Sequence, residues 1–487
     1  MPTDPVPAVP AADVLAELGA LRGADAPTRG GRTFAYVYDA GLEGLDELAA
    51  AAYSAYATVN GLDPTVFPSV ARLENDVVGA AAALLGGSGA QGTFTSGGTE
   101  SILLAVKTAR DHAMAERGVT GPQLVLPSTA HAAFHKAAAY LGLEPVVVPV
   151  DRSTYRADAT AMAAAITPDT ALVVASAPSY AHGVIDPVPE IAAAAAERGV
   201  LCHVDACIGG WLLPHLRRAG QEIPPFDLSV PGVTSLSVDL HKYGYADKGA
   251  SVVLYRDAGL RRHQYFAHAG WPGYPVVNPT VQGTKPAGLL AQAWAVLRYV
   301  GEDGYTALAA RVAEASGRLL AGLRATAGVR VLGDPSAGLV AFTVVDGPDG
   351  EPGLSLLLHL ADEMRERGWY LQPQLSFDGL PPNLHLTLTP ATVGQVDALL
   401  TDLDTALHAA RALPPVAVDP ALAELAAGLD PSKLGPDEIE AVLAFAGLTG
   451  DGGLPARMAP VLILLDALPG PLKERLLAEF VGSVFRI

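Results

Sequence analysis

Cysteine is scarce in this 487-residue chain. Cys202 and Cys207 are too few to staple a fold of this size, so a disulfide scaffold is excluded and a reducing, cytoplasmic setting is expected. Charged residues make up only 17% while apolar residues hold at 50%, which excludes an intrinsically disordered chain and allows a large core. Positive charge is short as well: 32 Lys+Arg face 51 Asp+Glu, for a formal net charge of −19. A field of that sign repels phosphodiester backbones and anionic headgroups. Nucleic acid and membrane surfaces are therefore not expected as partners, and any anionic ligand needs a local basic pocket. Unbroken apolar runs are missing too. The longest uncharged stretch, 77–99, is interrupted by Gly86-Gly87-Ser88-Gly89 and by Gln91, Thr93, Thr95 and Ser96, too polar for a membrane span. The first ten residues hold four prolines and Asp4 where a signal peptide needs a basic start and an apolar run, so neither export nor a membrane anchor is expected.

What is present is an alternation of Ala-rich helical segments (70–85, 99–117, 132–141, 187–199) with short β-branched runs (123–126, 145–150, 171–176, 201–206, 235–239, 251–255). Strands separated by helices of this length need crossover connections. The expected fold class is therefore α/β with a mostly parallel central sheet and ligands at the carboxyl ends of its strands. A long helical stretch over 287–299 and 305–326 leads to shorter strands near 338–345 and 383–388, read as a smaller α+β domain. After Arg411 the turns Leu413-Pro414-Pro415 and Asp419-Pro420 read as a linker to a helical extension. The expected division is an N-terminal segment 1–65, a large domain 66–300, a small domain 301–411 and a helical C-terminal extension 412–487. The apolar run 461–468 reads as core packing.

The chemistry concentrates at two strand ends. In Leu201-Cys202-His203-Val204-Asp205-Ala206-Cys207, alternation puts His203, Asp205 and Cys207 on one face. The two cysteines lie on opposite faces with no further clustered ligands, so no metal site is expected. In Ser237-Val238-Asp239-Leu240-His241-Lys242-Tyr243-Gly244 a second strand ends in a lysine, a residue rarely placed there without a function. If Lys242 and Asp205 share a crevice, they supply the amine and the carboxylate that pyridoxal phosphate requires at its aldehyde and its ring nitrogen. The run Thr95-Ser96-Gly97-Gly98-Thr99-Glu100-Ser101 opens a long helix, where free N–H groups favour an anion such as a cofactor phosphate; a plain N-cap is the simpler alternative. His131, at a strand-to-helix junction, suits stacking on an aromatic ring or a capping role.

These segments, with TSGGTESILLAVKTARD from Thr95, AHAAFHKAAAYLG from Ala130, AHGVIDPVPEIA from Ala181, HVDACIGGW from His203 and GVTSLSVDLHKYGYADKGASVVLY from Gly232, resemble the pyridoxal-phosphate-dependent group II decarboxylase class, and within it the sphingosine-1-phosphate lyases. The resemblance runs from about residue 30 to 408. It implies a fold-type I, aspartate aminotransferase-like architecture, pyridoxal 5′-phosphate as cofactor, and a homodimer whose active sites are shared between subunits. By position, Lys242 is the cofactor-binding lysine, Asp205 the ring-nitrogen partner and His131 the stacking residue, while Gly97, Gly98, Thr99, Ser237 and His241 hold the phosphate. The family's Gly-Ser-Arg-Pro loop, which reaches the neighbouring subunit's site, reads here Gly283-Thr284-Lys285-Pro286. Tyr38, Lys248 and Asn60 match substrate-contacting positions, and Tyr38 is also a candidate for proton transfer.

Two departures bear on the substrate. Asp63 stands where the lyases carry a histidine that helps bind the substrate phosphate, and Lys285 replaces a bidentate arginine; both weaken an anion pocket. Leu240 also occupies a threonine position of the eukaryotic lyases. The expected function is carbon–carbon cleavage of a 2-amino alcohol, phosphorylated or not, to an aldehyde and an amine. The alternative is amino-acid decarboxylation with the same cofactor groups, and a non-catalytic scaffold is disfavoured by the intact Lys242 and Asp205.

Overall fold

The computed structural model describes residues 8–336, 338–345, 350–418, 428–435, 438–439 and 455–485. The β-branched runs form a seven-stranded sheet: β1 (Gln91–Thr95), β2 (Gln123–Pro127), β3 (Glu144–Val148), β4 (Thr170–Ser176), β5 (Leu201–Asp205), β6 (Ser235–Asp239) and β7 (Ser251–Tyr255). Their order is β1-β7-β6-β5-β4-β2-β3. The pairs β2–β3, β2–β4, β4–β5 and β5–β6 are parallel, and β7 runs antiparallel to both neighbours. No crossover helix lies between β6 and β7, and without one the chain can only turn back. Strands β4, β6 and β7 are buried at every position, as expected of a sheet covered on both faces.

Each flanking helix turns one apolar stripe to that sheet. Helix Gly98–Arg117 buries Ile102, Val106, Ala109 and Ala113, the spacing of one helical face. It stops at Gly118, whose φ of 68° suits glycine and returns its N–H to the Ala113 carbonyl. The stretch Gly288–Ala325 holds the two expected helices, parted at Gly301, where φ of 63° and ψ of 171° lie outside the helical range. Its first half gives Leu290, Ala293 and Val296 to the large core, and its second half gives Ala315, Leu319 and Leu323 to a separate one.

That second core lies under a smaller antiparallel sheet. After a two-stranded hairpin, β8 (Phe266–His268) and β9 (Val276–Asn278), come β10 (Val329–Val331), β11 (Leu339–Val344), β12 (Gln372–Gln374) and β13 (Asn383–Thr387), ordered β10-β11-β13-β12. Helices Leu354–Glu366 and Val396–Ala412 cover it. The N-terminal segment is sewn into this unit. The Phe34 N–H donates to the Tyr370 carbonyl at 2.9 Å, and the Phe34 ring is fully buried, contributing about 1.5–3 kcal/mol. This anchor aims the residues that follow, Tyr36 and Tyr38, at the junction of the two cores.

Part of the expected extension 412–487 lies outside the described residues. Its helices Ala459–Ala467 and Gly470–Val484 are seated on the small unit. The Asp362 carboxylate accepts the N–H groups of Met458 at 2.9 Å and Ala459 at 3.0 Å, capping the first of them. Val461, Leu465, Leu468, Leu472 and Leu476 form the apolar cluster between them. Among the described residues no helix is long and apolar enough to cross a membrane.

Candidate active site

The carboxyl ends of the parallel strands converge on a cavity of about 380 Å³. It receives Ser96 to Glu100 after β1, His131 after β2, Tyr180 after β4, Asp205 at the end of β5, and Asp239, His241 and Lys242 at the end of β6. Lys242 and Asp205, predicted from two separate strand ends, therefore line one cavity.

Lys242 is held by a partner that the sequence reading did not single out. Its Nζ lies 3.0 Å from Oδ2 of Asp239, three residues earlier. Burial disfavours the ammonium, but the field of Asp239, with smaller help from Tyr38, Cys207 and Asp205, outweighs it and raises the Lys242 pKa. Asp239 is buried at a cost to its charged form, yet Lys242 and His241 beside it, and the Ser251 hydroxyl donating at 2.6 Å, hold its carboxyl below the usual range.

Asp205 accepts the Cys207 N–H at 3.0 Å. Behind it stands a buried relay. The Ser237 hydroxyl is 3.5 Å from Asp205 Oδ1 and 3.2 Å from His203 Nε2, and His203 Nδ1 is 2.9 Å from the Ser235 hydroxyl. Burial brings His203 down to about 4, so the imidazole is neutral at physiological pH. Ser237, expected at a cofactor phosphate, is fully buried and supports this relay; it does not line the cavity. Strand register explains the placement: Ser237 pairs with Asp205 and Ser235 with His203 across β5 and β6, which puts all four side chains on one face.

The first turn of helix Gly98–Arg117 opens into the cavity, and no side chain caps it. Its N-terminal N–H groups are available to an anion. A Cβ at Gly98 would stand 2.8 Å from Cys207 Sγ and 2.9 Å from both Asp239 carboxylate oxygens, so only glycine fits there. Glu100, also overlooked in the sequence, is buried and accepts the N–H groups of Ser96 at 2.6 Å and Val281 at 2.8 Å, which fixes the turn ahead of the helix. Thr99 and His241 line the same cavity, and His241 Nδ1 faces the Ala250 carbonyl at 2.8 Å.

His131 stands edge-on to Tyr180 with ring centroids 6.4 Å apart, and its Nδ1 accepts the Ala133 N–H. Tyr180 stacks in turn on His385 of the small sheet, at 4.4 Å. A neighbouring cavity of about 490 Å³ shares His241 and adds Tyr38 and Lys248. Lys248 Nζ sits 5.0 Å over the Tyr38 ring. Desolvation, then repulsion from Lys242, brings Lys248 down to about 8, while burial pushes the Tyr38 hydroxyl up to about 12.

Asn60, Asp63, Gly283, Thr284 and Lys285 line neither cavity. Asp63 is exposed and accepts the Thr65 N–H at 2.9 Å and the Thr65 hydroxyl at 2.6 Å, an acidic cap on its own turn. Asn60 and Lys285 are instead brought together. Asn60 bridges to Pro286, and the Gly61 N–H donates to the Lys285 carbonyl at 2.7 Å.

An amine, a buried carboxylate and an uncapped helix N-terminus around one cavity match the aldehyde, ring nitrogen and phosphate of pyridoxal phosphate. The family model for the pyridoxal-dependent decarboxylase conserved domain matches residues 31–345. The chain belongs to the pyridoxal-dependent decarboxylase family. A second model, for a C-terminal domain of pyridoxal-dependent enzymes named for a helix-turn-helix, matches residues 420–483. Among curated members, this decarboxylase-family chain is 42% identical over 385 residues to the sphingosine-1-phosphate lyase of Arabidopsis thaliana and 41% identical over 353 residues to that of Dictyostelium discoideum. The matches cover 78% and 72% of this chain and 68% and 64% of those relatives, so it spans about two thirds of their length. The solved structure of the Burkholderia pseudomallei sphingosine-1-phosphate lyase superposes with a TM-score of 0.78 at 36% identity, covering 84% of this chain and 93% of that one. A Lactobacillus brevis glutamate decarboxylase, at 18% identity and TM-score 0.74 over 85% of this chain and 97% of its own, shares the fold. The architecture is thus that of the fold-type I enzymes of the family, and the family's cofactor is pyridoxal phosphate.

Proposed function

We propose that this chain is a pyridoxal-phosphate-dependent carbon–carbon lyase that cleaves a 2-amino alcohol to an aldehyde and an amine. One observation carries the reading: Lys242, Asp205 and the uncapped N-terminus of helix Gly98–Arg117 face a single 380 Å³ cavity. The likeness to sphingosine-1-phosphate lyases supports the choice of bond. In this assignment Lys242 would join the cofactor, Asp205 would pair with its ring nitrogen, His131 would flank its ring, and Gly97, Gly98, Thr99 and His241 would hold its phosphate. When bound, pyridoxal phosphate supplies a sink for the electron pair released as a bond to the amine-bearing carbon breaks. Lys242 would hold the cofactor at rest, and its Nζ, whose proton affinity Asp239 raises, is placed to take the substrate's hydroxyl proton and return a proton to the product. Tyr38 keeps its proton near neutral pH and serves as a donor, and Lys248 offers a positive charge to an anionic substrate group.

The test is a product assay on the purified holoprotein, given a phosphorylated 2-amino alcohol, its unphosphorylated counterpart and a panel of L-amino acids. Aldehyde release is expected. Carbon dioxide without aldehyde overturns the reading in favour of decarboxylation, which a 32% identical Methanothermobacter thermautotrophicus relative, provisionally named L-tyrosine/L-aspartate decarboxylase and covered over 93% of its length, represents in the same family.

The placement of Asn60, Thr284 and Lys285 away from this chain's own cavities supports a homodimer in which they complete the partner's site. The adjoining hairpin and loop leave Phe266, Trp271, Tyr274, Val277 and Val281 between 45% and 66% exposed, an apolar surface suited to a second copy. Mixing inactive Lys242→Ala and Lys285→Ala chains after subunit exchange is expected to restore roughly a quarter of the native rate, because half of randomly paired dimers carry one intact site. No recovery, with exchange verified by native mass spectrometry, overturns the shared site. Both cysteines are buried and free, in keeping with a reducing, cytoplasmic setting.

A further inference from the structure

His131 and Tyr180 also belong to the lining of a second cavity, of about 320 Å³. At about 30 Å³ per water-sized group it has room for a chain of roughly ten non-hydrogen atoms. Its remaining walls come from the turn after β2, the turn after β4, and the β12–β13 region of the small sheet.

Three observations define what it can hold. No Asp, Glu, Lys or Arg lines it, although the chain carries a net charge of −19. A phosphate or carboxylate seated there would be desolvated without a counter-charge. Of the two histidines in its lining, His182 is kept neutral because burial brings it down to about 4. The walls are also short of hydrogen-bond partners. The half-buried Gln374 amide lines the cavity and makes no hydrogen bond among the described residues, while Thr129 Oγ1, His182 Nδ1 and Asn383 Oδ1 are unpaired but shielded behind the wall. A purely alkyl occupant leaves the Gln374 amide unpaired, and a hydroxyl or amide group pairs with it. Finally, the rim is tied to the C-terminal helices. Leu375 packs against the Val461, Leu465 and Leu472 cluster, and the Ser376 N–H donates to Asp466 Oδ1 at 2.9 Å.

We propose that this cavity is a substrate subsite for an uncharged tail bearing a hydroxyl or amide group, and that the C-terminal helices set its shape through residues 375–376. The proposal rests on the reading that the substrate amine reacts at Lys242, with the tail passing His131 and Tyr180. It divides the substrate between two environments: any anionic group goes to the Lys248 side, and the neutral tail goes to the small-domain side.

Binding of amines to the holoprotein, read from the change in the cofactor's visible absorbance, tests it without turnover. The probes are 2-aminoethanol, 2-amino-1-hexanol and 2-amino-1,6-hexanediol. The diol is expected to bind about tenfold more tightly than the hexanol, the gain from one or two net hydrogen bonds. Leu375→Trp, which fills the cavity, and Gln374→Leu, which removes the free amide, are expected to abolish that preference while leaving 2-aminoethanol affinity unchanged. Asp466→Ala, which lines neither cavity, is expected to reduce it. Equal affinity of diol and hexanol for the wild-type protein overturns the subsite, as does a loss in Leu375→Trp that is equal for short and long probes. If the cofactor band is present and no amine shifts it, the reading of Lys242 itself falls, a result distinguishable from failure of the subsite alone.

Discussion

Replacing Lys242 by alanine is expected to remove the visible absorbance of covalently held cofactor and to lower turnover by on the order of 10⁴-fold or more, since the covalent anchor and the proton carrier are lost together. The structure also predicts a cost in stability. Asp239 is 2% exposed, and Lys242 is its closest cation. Removing one partner of a buried pair costs about 3–5 kcal/mol when the other stays charged. Here the Ser251 hydroxyl and His241 remain, so the loss should lie toward the lower end. The sign of the pH dependence follows. The Asp239 pKa is lowered in the native fold, so its contribution to stability is present above the ordinary aspartate range and lost as pH falls through the lowered value. Without Lys242 the carboxyl rises, and the variant should lose less stability in mild acid than at neutral pH. Adding Asp239→Asn to Lys242→Ala should recover melting temperature without recovering absorbance, which separates folding from chemistry. A band in the Lys242→Ala chain that borohydride reduction fixes to another lysine overturns the assignment.

The parts of this site that were legible in the sequence are those that local rules control. Lys242 and Asp205 end buried strands, and parallel sheets gather strand ends on one edge, so two segments 37 positions apart by number could be joined in advance. The strand β1 was missed because Gln91–Thr95 sits in a Gly- and Thr-rich run; it is made a strand by the β7 ladder, with Gln91 opposite Tyr255. Glu100 could not be read for the same reason: its second donor, the Val281 N–H, is 181 residues away. Asp239 could have been found, because its spacing of three from Lys242 places it one turn behind the amine at the strand end. Asp63 is fixed locally: an aspartate two residues before a threonine binds its own turn, and that bond sets where the carboxylate sits.

Asp205→Ala should dissociate cofactor binding from catalysis. The Lys242 amine, the uncapped helix N-terminus and His131 remain in place, so the visible band should persist, while turnover should fall roughly 100- to 1,000-fold, the scale on which removal of a preorganised charge partner is felt. The backbone should tolerate the change: the Cys207 N–H loses its acceptor, but the Ser237 hydroxyl still has His203 Nε2 at 3.2 Å, and the relay to Ser235 is untouched. Asp205→Asn is the sharper control. It keeps volume and hydrogen-bonding reach and removes only the negative charge, so a rate as low as that of the alanine variant assigns the effect to charge, and a rate near the native one assigns it to shape. A shift in the pH dependence of the absorbance band should accompany both substitutions, because the carboxylate that would favour a protonated ring nitrogen is gone. Near-native turnover in Asp205→Ala, with cofactor bound, would remove Asp205 from the chemistry and leave the His203–Ser237–Asp205 relay as a purely structural strut between β5 and β6.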